Sequence, residues 1–168
     1  MNFKGSILIL GLSLSLFSCV KRDTITSIPT LSYEDFTAVD ENTAYLTINY
    51  TDGDGDIFAE EDVKDPNFFA WFYFKDTDGE FKPALWPLAI PNPPKPDTII
   101  YNNRPLSYTI ERPSELSKNQ PIKGRITITM IGWRSDSKYK NFKYKIYMID
   151  QKGNKTEEIF TPETITPF

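Results

Sequence analysis

Ala44-Tyr45-Leu46-Thr47-Ile48-Asn49-Tyr50 decides the fold, because Ala44, Leu46, Ile48 and Tyr50 recur at every second position with Thr47 and Asn49 between them. In an extended chain successive side chains leave opposite faces, so the four apolar residues share one face and the segment reads as a half-buried strand. Gly124–Met130 repeats the pattern with Ile126, Ile128 and Met130 inside, and Phe142–Met148 repeats it with Phe142, Tyr144, Ile146 and Met148 inside. Leu106, Tyr108 and Ile110 alternate with Ser107 and Thr109. Phe68–Phe74 is apolar on both faces, which predicts either a central strand covered on both sides or a strand whose outer face binds something.

Turn chemistry separates these strands. Asp78-Gly79 between Phe74 and Phe81 predicts a hairpin, and Asp150-Gln151-Lys152-Gly153-Asn154 predicts another, with glycine or asparagine supplying the positive φ. Weaker segments near 31–36 and 156–161 bring the expectation to seven or eight strands. Helical signal is confined to Ala59–Lys64 and Ser114–Lys118, both too short to hold a helix alone. The economical architecture is all-β, an immunoglobulin-like antiparallel β-sandwich over residues 31–168. A domain of ~140 residues buries about two thirds of its unfolded surface, enough to fold without disulfides.

The chain of 168 residues has no histidine and one cysteine. That excludes Ser-His-Asp and Cys-His catalysis, imidazole metal ligands and an intrachain disulfide. Residues 1–18 carry Lys4 and an apolar run from Ile7 to Phe17, too short for a mature transmembrane helix, so they read as a secretory signal peptide. Leu16-Phe17-Ser18-Cys19 resembles the lipobox of bacterial lipoproteins, which implies cleavage before Cys19 and acylation of that cysteine. Acyl chains contribute roughly 0.8 kcal/mol per buried methylene, so several of them make the attachment to a bilayer permanent. Residues 19–30 then form a flexible tether. Val20 stands where some bacteria place an inner-membrane retention aspartate, so by resemblance the address is the outer membrane.

Leu46–Ile57, containing Asp52-Gly53-Asp54-Gly55-Asp56, and Tyr144–Lys155, followed by Thr161-Pro162, together resemble the strand-DGDGDIG signature and final strand pair of uncharacterised Bacteroidetes lipoproteins. The resemblance implies an immunoglobulin-like fold and a cell-envelope address, and it brings no activity. Phe58 stands where that family usually has glycine.

Three features are candidates for function. Asp52, Asp54 and Asp56, with Glu60 following, place carboxylates between glycines that permit a loop to fold around Ca2+, a hard ion taking about six to eight oxygens. The spacing is not that of an EF-hand, since Ile57 and Val63 occupy positions needing glycine and glutamate, and a plain solvated turn has the same composition. Pro83–Pro96 holds six prolines in fourteen residues around Trp86, and reads either as a stiff recognition loop or as a lid with Trp86 capping the sandwich. Residues 112–155 carry eleven Lys and Arg against three acids; Lys143 and Lys145 lie on a strand face away from the core, suiting an anionic glycan or simply guarding an edge.

The acids cluster in one solvated turn, so no pair is set apart as a glycosidase would need, and the expectation is a non-enzyme. Nucleic acid is not an expected partner of an acidic chain with an envelope address. The leading expectation is a non-catalytic, lipid-anchored binding or scaffold module. The alternative is a carbohydrate-binding module with a structural calcium, in which Trp71, Trp86 or Trp133 stacks on sugar.

Overall fold

The computed structural model describes residues 25–88 and 100–166, which contain eleven strands and no helix. One sheet is β1 (Thr30–Ala38), β2 (Thr43–Asp52) and β8 (Ile122–Ile131), in that order. The second contains β3 (Phe68–Lys75), β4 (Phe81–Pro83), β7 (Leu106–Tyr108), β9 (Asn141–Met148), β10 (Ile159–Phe160) and β11 (Thr164–Ile165). Its order is β10-β9-β3-β4, with β7 also on β3 and β11 also on β9. β5 (Trp86–Leu88) and β6 (Ile100–Asn102) form a separate two-stranded ribbon. All these strand pairs are antiparallel.

The alternation read from the sequence is the alternation of the core. Ala44, Leu46 and Ile48 of β2 are fully buried, as are Phe142, Tyr144, Ile146 and Met148 of β9. β2 pairs with β8 without a slip from Thr43↔Ile131 to Asp52↔Ile122, so Ile128 and Met130 join the same inner face. A one-residue shift would turn every one of these side chains outward. The two inner faces meet through rings: Phe36 of β1 lies 5.3 Å from Phe142 and 5.6 Å from Tyr144, centroid to centroid. Each fully buried Leu, Ile, Phe or Met contributes roughly 1.5–3 kcal/mol by leaving water. The fold is therefore a β-sandwich.

Three expectations change. The short helical pieces at 59–64 and 114–118 are turns, because neither is long enough to outweigh the cost of helix nucleation. The strand count exceeds eight because β4 to β7, β10 and β11 are pieces of only two or three residues. The proline-rich segment is not wholly loop: Trp86-Pro87-Leu88 pairs with Ile100–Asn102, and a two-stranded ribbon has only edges, where a proline's missing N–H is tolerated. Residues 89–99 of that segment lie outside the described residues, as do the signal peptide, Cys19 and the tether up to residue 24.

Candidate functional site

Asp52 ends β2, and the next four residues turn the chain away from the sheet. The turn is tight because two other backbones press on it. The Gly53 N–H donates to the Thr26 carbonyl at 2.8 Å, and a Cβ on Gly53 would sit 2.4 Å from the Ile25 carbonyl oxygen. Gly55 has φ +74°, and a Cβ there would sit 2.4 Å from the Gln120 carbonyl oxygen. The glycines of the motif thus serve close backbone approach by the tether and by the loop before β8.

The same turn brings Asp52, Asp54 and Asp56 together, each with an oxygen within 4.8 Å of the others. Asp52 is fully buried, and its carboxylate accepts the Ile57 N–H at 2.8 Å. Lys152, from the hairpin turn after β9, reaches across to Asp54 at 2.5 Å and Asp56 at 3.1 Å. Burial holds Asp52 and Asp56 above the usual carboxylate range. The hydrogen bond from Lys152 holds Asp54 below that range, and the Lys152 ammonium is raised in turn, chiefly by Asp54. One buried oxygen of Asp54 and one of Asp56 have no hydrogen-bond partner. The cation of this arrangement is the Lys152 ammonium, shared between Asp54 and Asp56, while Asp52 stays buried behind them.

Glu60 is not part of this group. Its carboxylate faces Lys118 at 2.5 Å and Gln151 at 3.0 Å, with Arg112 at 3.7 Å, because the chain has turned back toward the loop before β8. The expected fourth calcium ligand is thereby removed.

The three tryptophans fall in different places. Trp133 is fully buried, its indole N–H donates to the Asp40 carbonyl at 3.0 Å, and its own carbonyl accepts the Tyr144 hydroxyl. Trp86 is 8% exposed and packs edge-on against Phe72, so it caps the core rather than meeting a ligand. Neither is offered to a sugar. Trp71 alone of the three is half-buried, on the outward face of β3.

That face is unusual in its composition. β3 turns Phe68, Ala70 and Phe72 inward, which leaves Phe69, Trp71, Tyr73 and Lys75 facing out. Their cross-strand neighbours are Tyr147, Lys145 and Lys143 of β9 and Phe81 and Pro83 of β4. Phe160 of β10 pairs with Lys145 and lies edge-on to Tyr73 at 5.6 Å. Phe69 and Tyr147 stack at 4.9 Å. The lysines run over the rings, with Lys143 4.3 Å from Phe81 and 4.4 Å from Phe160, and Lys155 3.9 Å from Tyr147. Glu158 pairs with Lys145 and Lys155, and Glu163 pairs with Lys75. Lys143 has no carboxylate partner among the described residues.

The outward positions of β2 and β8 in the other sheet include Thr47, Asn49, Thr51, Arg125, Thr127 and Thr129, with Tyr45 and Ile131 exposed at one end, a mostly polar face. The sequence marks Phe68–Phe74 as two-faced and Lys143 and Lys145 as outward, but nothing local says that β3 and β9 are neighbours. Nor does it signal that Lys152 meets an aspartate 98 positions earlier. Lys138, five positions before Lys143, turns to Asp136 at 3.0 Å. No protein-family model matches the chain, and no curated protein matches it significantly.

Proposed function

We propose that this protein is a non-catalytic, lipid-anchored module of the cell envelope, held at the outer membrane by acylated Cys19 and working through the outer face of its second sheet. The observation that carries the working surface is the number of rings on it: six, Phe69, Trp71, Tyr73, Phe81, Tyr147 and Phe160, face out from this sheet, against the single ring of Tyr45 among the outward residues of β2 and β8. Solvated sheets do not spend that many aromatics on water without a partner to cover them. The anchor is supported by the leader and by the position of the sole cysteine at its end. Labelled palmitate fed to a lipoprotein-processing bacterium should appear on the wild-type chain and be absent from Cys19→Ala. A wild type that is cut but unlabelled defeats the anchor.

A second reading, a carbohydrate-binding module with a structural calcium, is favoured by the half-exposed Trp71 and by the converging Asp52, Asp54 and Asp56. Calcium would have to displace the Lys152 ammonium. A ligand of the native state raises stability by mass action, so millimolar calcium should raise the melting temperature against chelator. Equal midpoints, together with a glycan array that gives no signal lost in Trp71→Ala, would remove this reading.

A further inference from the structure

We infer that the aromatic and lysine-bearing face of the β3–β9 sheet is a membrane-contact surface that lies against an anionic bilayer. The inference rests on the anchored-module reading and names what the working surface touches.

The first ground is where the tether joins the domain. Thr26, Ile28, Pro29 and Leu31 line a hollow of about 410 Å³ with Lys155 and Ile159, so the chain leading to Cys19 arrives at the β10 edge of this same sheet. Five residues lie between Cys19 and Ile25, so the six steps reach at most about 20 Å when fully extended. The domain is thereby kept beside the headgroups, with the β10 edge of this sheet flanking the segment that leads from the attachment into β1.

A second ground is the apolar side chains left in water. Phe160 is 49% exposed and Ile165 is 71% exposed, and their partners Lys145 and Asn141 place both on the outward face of β9. Aromatic rings and apolar tips gather in the interfacial layer of a bilayer, where one end of the side chain is greasy and the other wet.

Charge supplies the third. Four lysines, Lys75, Lys143, Lys145 and Lys155, face two glutamates, Glu158 and Glu163, on a chain whose net charge is −4. The ammonium groups of Lys143 and Lys155 lie over the rings, 3.9 to 4.4 Å from their centroids, so a lipid phosphate reaching this face meets cation and ring together. A neutral sugar would use the rings and leave Lys143 without a counter-ion.

The test uses the full acylated chain in vesicles of phosphatidylcholine alone or mixed with phosphatidylglycerol, with flotation reporting anchorage separately. Tryptophan emission is read against lipids brominated high on the acyl chain and against aqueous acrylamide. The brominated lipid should quench the wild type in the mixed vesicles, Trp71→Phe should lose that quench, and Lys143→Glu should lower it toward the value in phosphatidylcholine alone. If acrylamide reaches Trp71 and the brominated lipid does not, the face is open to a soluble partner such as a glycan; the inference then fails while the module reading stands. If neither reaches Trp71, the face is covered by the protein itself and both fail.

Discussion

Lys152 is the residue on which the acidic turn depends. Asp54, depressed by Lys152, contributes stability present above its unfolded value and lost as pH falls through its folded one. Lys152, raised by Asp54 and Asp56, contributes stability present below its unfolded value and lost only as pH rises through its folded one. Both contributions are therefore complete at pH 7. Asp52 and Asp56, raised by burial, act the other way, losing stability as pH rises through their folded values. Lys152→Met leaves three converging carboxylates without a cation. Its melting temperature should fall below wild type at pH 7, and the gap should close as pH drops past about 4, where carboxylates take up protons. A gap that widens on acidification would reverse this account.

Calcium should also raise the melting temperature of Lys152→Met more than that of wild type, because the ammonium no longer competes for Asp54 and Asp56. The glycines give a separate prediction. Gly55→Ala combines a left-handed φ with a backbone contact at 2.4 Å, whereas Gly79 has φ +86° and open space around it. Gly55→Ala should cost about 2 kcal/mol or more, and Gly79→Ala only about 1 kcal/mol, measured by urea unfolding. The sequence announces both glycines as turn formers; it cannot announce which one has another backbone resting on it.

At the scale of the element, β9 shows how a fragmentary neighbour completes a ladder. The chain from 155 to 166 pairs with β9 only at β10 and β11, yet Thr161 donates its N–H to the Tyr144 carbonyl at 2.8 Å and accepts the Tyr144 N–H on its hydroxyl at 2.9 Å. Thr156 does the same at Met148, with bonds of 3.0 Å each way. Hydroxyls replace the carbonyls that a regular strand would have supplied. Thr161→Val keeps the shape and leaves a buried N–H unpaired, so it should cost about 1–3 kcal/mol, while Thr161→Ser should stay near wild type. Equal losses for both would mean the methyl matters and the hydroxyl does not. The long strands β2, β8 and β9 were legible because one face of each is fully buried, which writes period two into the letters. β10 and β11 are two residues each, too short to carry a period, and the threonine substitution has no pattern to read.

For the molecule as a whole, Phe36 is the test of whether two sheets make one cooperative body. It belongs to the first sheet and its ring meets Phe142 and Tyr144 of the second. Phe36→Ala should cost about 3 kcal/mol and lower a single transition seen alike by near-ultraviolet dichroism and tryptophan emission. Two separate transitions would show the sheets to be independent. The bond between the Thr26 carbonyl and the Gly53 N–H bears on mechanics. Under the acylation proposed for Cys19, a pull between bilayer and domain meets this bond first and then β1, which pairs with β2 from Thr30 to Ala38. In that proposed state the Thr26–Gly53 link parts before the sandwich itself is strained.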